Sequence, residues 1–411
     1  MRAPDRRERR ETWEGIVAFM ASSPPNQDPR PVARALAGAA ALAAAMGIGR
    51  FAFTALLPPT QQALGVGDDV VGALASANLV AYLAGVLLGR RLAASPRRGV
   101  ALVAGLAVTA LATLGSAATV DVGAWAALRV AAGLASGLVF VLASAAALEG
   151  DASHPGILFA GVGLGITLSG AVSALAPSGA GYGPPWLVLG GAAALLAVPG
   201  VALARNAPPA AGPRPAAAAL GAGGGVGMSV GLLAAAYFLE GLGYIVSGTF
   251  AVAAVRRTPG LEALAPWTWV LTGLAAAPSA VVWSGLGGRF GGRRALALAH
   301  GVQAVGMALP SLSSSAAAAL AGAALFGGTF MGITTLAMSA ARRLSPEAPG
   351  RMVGTLTAVY GVGQMLGPAL AGALSRRLGD PRPAVLAAAA AVAAGGVLLA
   401  LAREGRPPHR I

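Results

Sequence analysis

Gly89-Arg-Arg-Leu-Ala-Ala-Ser-Pro-Arg97-Arg98 and Gly285-Leu-Gly-Gly-Arg-Phe-Gly-Gly-Arg293-Arg294 lie 196 residues apart and repeat one pattern. In each, a glycine stands eight residues before an arginine pair, inside a hydrophilic break between long apolar runs. The same offset relates Gly47 to Gly243 in the preceding runs and Asp151 to Glu347 in the breaks that follow. Two related membrane halves that rock against each other are the geometry of alternating access.

Composition fixes the solvent. The chain is 56% hydrophobic and only 11% charged, against about 25% charged for a soluble domain. Apolar stretches of about 20 residues, each long enough to cross a bilayer core of roughly 30 Å as a helix, recur twelve times. They fall near 35–58, 69–92, 99–118, 122–148, 155–176, 185–204, 229–254, 265–287, 294–312, 316–340, 352–374 and 383–402, and are numbered spans 1 to 12. Their uniform apolarity excludes barrel strands, which would alternate. The expected architecture is an all-α membrane protein of twelve transmembrane helices in two pseudo-symmetric six-helix bundles.

All 29 basic residues are arginine. Without lysine there is no P-loop and no Schiff-base chemistry. Cysteine is absent and histidine occurs only at 154, 300 and 409, so neither a thiolate nucleophile nor a Cys/His metal cluster is available. No enzyme activity, metal or cofactor is expected.

Twenty-two arginines fall before span 1, between spans 2 and 3, 6 and 7, 8 and 9, 10 and 11, and after span 12. The opposite side holds five: Arg256, Arg257, Arg376, Arg377 and Arg382. By the positive-inside rule both termini are cytoplasmic, and arginine-only usage fits a GC-rich bacterium, hence its inner membrane. The net charge of +14 is then a topogenic signal and not a nucleic-acid footprint. Residues 1–34 read as a disordered basic tail, 35–204 as one bundle, 205–228 as a cytoplasmic Ala/Pro/Gly linker, 229–403 as the second bundle and 404–411 as a short tail.

Twelve spans, a central linker and the duplicated Gly…Arg-Arg loop resemble the Major Facilitator Superfamily of secondary transporters. Arg129 with Gly133 in span 4 is similar to that superfamily's arginine motif. Gly47-Ile-Gly-Arg50-Phe-Ala-Phe in span 1 and Leu239-Glu240-Gly-Leu-Gly-Tyr244-Ile-Val-Ser-Gly-Thr-Phe250 in span 7 resemble its YbfB/YjiJ-like branch. The resemblance implies a carrier, expected as a monomer, whose spans 1, 4, 7 and 10 line a central cavity. The superfamily's loop aspartate is missing, replaced by Ala93 and Arg289. Gating at these loops is therefore expected from Gly89, Arg97 and Arg98 with Asp151, and from Gly285, Arg293 and Arg294 with Glu347. The plain alternative is topogenic arginines with surface counter-ions, each pair contributing under about 1 kcal/mol.

The spans hold few polar groups. Glu240 is the only carboxylate away from the span ends; ionised in lipid it would cost several kcal/mol, so it is protonated, paired or hydrated. That suits proton coupling, and it equally suits an anchor bonded to a neighbouring helix. Tyr237, Glu240, Tyr244 and Ser247 share one helical face. Arg50 and Arg129 lie at one depth, about 12 Å from the arginine-poor side, and suit an anionic substrate by bidentate pairing; alternatively one pairs with Glu240. Asn78 in span 2, with Tyr360 and Gln364 in span 11, complete the substrate-binding candidates, though interhelical bonding explains such residues too. His300 and Gln303 lie in span 9, which the resemblance puts at the periphery. Trp267 and Trp269 read as an interfacial belt, and Gly161, Gly163 and Gly361 to Gly367 as close-packing sites.

The expected function is secondary active transport of a small organic solute, with a preference for an anion, coupled to protons through Glu240. The alternatives are a proton-driven exporter of hydrophobic or cationic compounds, or a non-transporting sensor that keeps the fold. Small molecule, proton and lipid are the expected partners.

Overall fold

The computed structural model describes residues 29–148, 154–177, 179, 181–206, 229–345 and 349–401. Residues 1–28 of the expected tail, most of the linker and the C-terminal tail lie outside these residues, while 29–34 of that tail are helical. All regular structure among the described residues is helical, as lipid requires of an unclosed backbone. Span 1 is the run from Pro29 to Leu64. Spans 2 to 6 are Asp68–Leu92, Arg98–Gly115, Val122–Leu148, Pro155–Leu175 and Gly183–Asn206. Spans 7 to 12 are Val230–Arg256, Ala265–Phe290, Gly292–Leu312, Ala316–Leu344, Pro349–Leu378 and Arg382–Leu401.

Eleven of the twelve are apolar enough to cross a membrane on composition alone. The exception is span 11, whose Thr355, Thr357, Tyr360 and Gln364 dilute its apolar run. That polarity has a use, because span 11 walls the central cavity. Local signals set the ends: Ser229 and Ser315 accept from the backbone N–H groups of Leu232 and Ala318 at 3.2 and 3.1 Å. Gly291, at φ 88°, turns the chain between spans 8 and 9.

The two halves meet along two seams, span 2 on span 11 and span 5 on span 8. Glycine makes both seams close. Gly72 lies against the Pro368 carbonyl and Gly372 against the Asp68 backbone. A methyl group on Gly163 would stand 2.5 Å from the Ala277 nitrogen. Lipid offers no hydrophobic drive between helices, so such backbone approach supplies the packing. Gly161 and Gly363 do the same within the halves, against Ala39 and Leu242, as their sequence pattern predicts.

Span 1 departs from a simple helix. It begins at Pro29, six residues before its apolar run, with Arg30 and Arg34 inside it. Its axis then breaks: Pro29–Leu42 is α-helical, Ala43–Ile48 forms a π-turn, Gly49 to Phe51 is a turn, and Ala52–Ala55 and Leu57–Leu64 continue it. The glycine-bearing Gly47-Ile-Gly-Arg50 motif sits at this break. Gly47 packs on Gly165 of span 5 and Gly49 on Thr109 of span 3, contacts that a side chain there would disrupt.

Candidate functional site

A cavity of about 460 Å³ separates the halves. Its walls come from spans 1, 2, 4, 5, 7, 10 and 11. Arg90, Arg342, Val353 and Gly354 lie at its mouth, near the span ends on the arginine-rich face. Arg50 lies at its blind end. Between them the lining is mainly apolar and aromatic: Tyr82, Phe140, Phe159, Tyr237, Tyr244, Phe330 and Tyr360. No acidic side chain is among the described lining residues.

Arg50 is 5% exposed and donates to the Tyr244 hydroxyl at 3.2 Å. Its guanidinium stands 4.3 Å from the Tyr82 ring centre and 5.0 Å from that of Phe51, a cation held by aromatic faces. The Tyr244 hydroxyl also accepts from Gln364. Tyr244 stacks on Tyr360 at 5.5 Å and on Phe330 at 5.3 Å, and Tyr360 on Tyr237 at 4.3 Å. Of the eight expected substrate-binding residues, the cavity therefore gathers five: Arg50, Tyr237, Tyr244, Tyr360 and Gln364.

The other three point elsewhere. Arg129 donates to the carbonyls of Gly49 and Arg50 at 3.4 and 3.3 Å and lies 4.6 Å from the Phe53 ring centre. The break in span 1 frees those carbonyls and Arg129 answers them, so the two arginines do not jointly face the cavity. Asn78 donates to the Arg129 carbonyl at 2.8 Å, an interhelical bond. Ser247 borders a separate cleft inside the C-terminal half.

Glu240 is 1% exposed and does not border the cavity. It accepts from Gln303 at 2.7 Å, and its second oxygen stands 3.9 Å from His300 Nε2. Thr329 Oγ1 stands 3.0 Å from the Gln303 carbonyl oxygen, on the side of the amide away from the NH₂ that Glu240 accepts from. The partners of Glu240 are thus in span 9, and neither Arg50 nor Arg129 is among them. The 3.6-residue period explains this: Tyr237 and Tyr244 are seven apart and align, while Glu240 and Ser247 are rotated towards span 9.

Beyond Arg50 the passage is shut. Phe51 makes an edge contact with Phe330 at 5.8 Å and a tilted one with Trp269 at 6.4 Å. Trp269 is 1% exposed, so it plugs the passage and is no part of an interfacial belt; Trp267, at 44%, fits the belt. Thr54 donates to the Gly248 carbonyl across the halves. On the arginine-poor face two ion pairs among the described residues join the halves. Arg257 grips Asp68 through both nitrogens at 2.9 and 2.7 Å, with Gln61 on the same carboxylate at 2.8 Å. Arg376 reaches Asp69 at 3.1 Å. Sequence reasoning missed this latch. Its signal was the Asp68-Asp69 pair opening span 2 on the face where only five arginines lie.

The expected loop pairs are a different matter. Asp151 and Glu347 lie outside the described residues. Arg97 is exposed, with its backbone N–H on Ser95 Oγ at 3.2 Å, and Arg98 is buried. Arg293 donates to the carbonyls of Leu399 and Ala400 at 2.7 and 3.1 Å, holding the end of span 12. Gly89 packs against Val141, whereas Gly285 faces open space.

Two helical bundles around a central cavity, closed on one face and reached from the other, define a transporter of the major facilitator superfamily. Residues 42–400 match the family described as "Uncharacterised MFS-type transporter YbfB", and the chain belongs to that family. It is a multi-pass membrane protein of a family of transporters, not enzymes. No curated protein matches it. Among solved structures it is similar to the nucleoside transporter NupG, as an aspartate-to-alanine variant (TM-score 0.71, 12% identity, 90% of this chain and 99% of that one). Unsubstituted NupG gives 0.69 at 12%, over 90% and 98%. A bacterial homologue of the human lysosomal transporter Spinster, inward-facing and unoccupied, gives 0.64 at 15%, over 93% and 96%.

Proposed function

We propose that this protein carries a small organic anion with an apolar or aromatic body across a bacterial inner membrane, coupled to protons through Glu240. In this reading the arginine-rich face is cytoplasmic, both termini are cytoplasmic, and the carrier works as a monomer. The observation that carries the anion assignment is the cavity's charge: Arg50 at its blind end, Arg90 and Arg342 at its mouth, and no acid among its described lining residues. Stacked tyrosines and phenylalanines favour a flat apolar body attached to the anionic group. Tyr244, itself held by Gln364, keeps the guanidinium in place while leaving donors for a carboxylate.

Proton coupling rests on Glu240 being, among the described residues, the one acid buried far from either face, with a neutral amide and a histidine as its polar partners. The phenolic groups of Tyr237 and Tyr360 are the other titratable neighbours. The gates at Asp151 and Glu347 remain part of the proposal for the cytoplasmic side.

Counterflow in proteoliposomes, with a panel of aromatic carboxylates and their amine counterparts, tests the substrate class. Carboxylates are expected to exchange and amines are not. Arg50→Gln should raise the half-saturation concentration about 10- to 100-fold, the loss of one charged hydrogen-bonding anchor. Exchange of amines, or an unchanged constant in the variant, overturns the anion reading. Glu240→Gln should abolish accumulation driven by a pH gradient while sparing counterflow; gradient-driven accumulation that survives the change removes Glu240 from coupling.

A further inference from the structure

If Glu240 takes the coupling proton, as proposed above, the proton must reach a carboxyl that does not border the substrate cavity. A second cleft, of about 30 Å³, lies among spans 7 to 10 and 12, towards the arginine-poor face. On the usual scale that is room for one or two water molecules. Ser247, Thr268, Thr272, Gly306 and Ser311 are among its walls. Gly306 and Phe326 border it, and one helical turn further in lie Gln303 and Thr329, already joined to Glu240. Four side-chain atoms along this line are buried without a hydrogen-bond partner: Ser311 Oγ, Ser247 Oγ, Glu240 Oε2 and His300 Nε2. Buried polar atoms of this kind, in a row and in a polar cleft, are what ordered water satisfies.

We propose that protons reach Glu240 from the outer face through a hydrated passage inside the C-terminal bundle, separate from the path of the substrate. Water at Ser311 and Ser247 relays the proton inward, and a hydronium gives it to Glu240 Oε2, leaving water and a neutral carboxyl. Gln303 holds the other oxygen and carries no proton itself. The titratable groups facing the carboxyl are His300 from span 9, Tyr360 from span 11 and Tyr237 on its own span. His300 is the nearest group able to share the proton. Substrate and proton thus occupy two compartments that share the wall of span 7, whose Tyr237 and Tyr244 face one and whose Ser247 faces the other. Neither ligand needs to leave before the other enters.

The chain has no cysteine, so single thiols report hydration directly. Ser311→Cys and Ser247→Cys, each in the full chain in proteoliposomes with the arginine-poor face outward, are to be reacted with silver ions. Val305→Cys is the control, because Val305 is on the same span as Ser311 and faces lipid at 54% exposure. Both serine positions are expected to react at least 10-fold faster than the control. Modified Ser311→Cys should lose at least 5-fold in gradient-driven uptake while keeping substrate counterflow. Reactivity no greater than the control, or unchanged driven uptake after modification, overturns the proposal. The coupling role of Glu240 fails separately: Glu240→Gln with intact driven uptake ends that role, whereas an uncoupled Glu240→Gln with unreactive thiols brings the proton through the central cavity.

Discussion

Span 1 and span 7 occupy equivalent places in the two halves, with Gly47 and Gly243 at equivalent positions, yet they carry their charged groups in opposite ways. Span 1 breaks two residues beyond Gly47 and turns Arg50 into the cavity. Span 7 runs unbroken from Val230 to Arg256 and turns Glu240 into its own bundle. A broken helix in a membrane leaves carbonyls without partners, and a second guanidinium, Arg129, has to supply them. An intact helix has no such debt and can bury a carboxyl behind its own wall. The repeat has diverged into a half that presents a cation and a half that shelters an acid.

The comparison is broken most forcefully at Arg129. Arg129→Met keeps the bulk but orphans the carbonyls of Gly49 and Arg50, each costing about 1–3 kcal/mol when buried. We expect a loss of about 2–4 kcal/mol in stability, read as a lower thermal midpoint in detergent and as reduced folded yield. Arg50→Gln should leave the midpoint within about 1 kcal/mol of the parent, because Arg50 faces a cavity and its loss frees no backbone. Equal destabilisation by the two changes would show that Arg129 has no special duty towards the break.

Much of this architecture is legible in the sequence, and what is not has a physical cause. Length and apolarity give the spans, and the 196-residue offset gives the halves. The face of a residue within a span is harder. Tyr237 and Glu240 are three residues apart and share one face by spacing, but a shift of about 60° across one turn puts the first in the cavity and the second on span 9. Arg129 looks like a ligand for substrate in the sequence because a π-turn in span 1 leaves no mark there beyond two glycines. The resemblance puts His300 and Gln303 at the periphery, although a lone acid at Glu240 demands polar partners and span 9 holds two at matching depth. The latch was hidden for another reason: Asp68 and Arg257 are 189 residues apart, and topological counting treats each as a separate loop charge.

The latch sharpens the contrast between the two faces, since it closes the face opposite the cavity's mouth. Arg257→Ala removes a bidentate pair to an almost buried carboxylate, with the guanidinium itself 38% exposed. Allowing for that exposure, about 1–2 kcal/mol is lost from the closed state, a five- to thirtyfold shift towards opening on the arginine-poor face. Spin labels at Ala63→Cys and Ala263→Cys, exposed positions on that face in opposite halves, should record a longer distance in that fraction of molecules. An unaltered distance distribution would reduce the pair to a surface contact.

Asp69 gives the smallest and most discriminating effect. Its partner Arg376 is 65% exposed and Asp69 itself 35%, joined by a single contact of 3.1 Å. Such a pair contributes under about 1 kcal/mol and is screened by salt. Asp69→Asn should therefore shift the population at the longer label distance less than fivefold, and the shift should vanish at about 1 M salt, where the screening length falls to roughly 3 Å. The Asp68 pair, with its carboxylate only 8% exposed, should keep most of its effect under the same salt. If both pairs respond equally to salt, the buried carboxylate carries no more of the closure than the exposed one. The seal would then lie with Phe51, Trp269 and Phe330, which no salt concentration can screen.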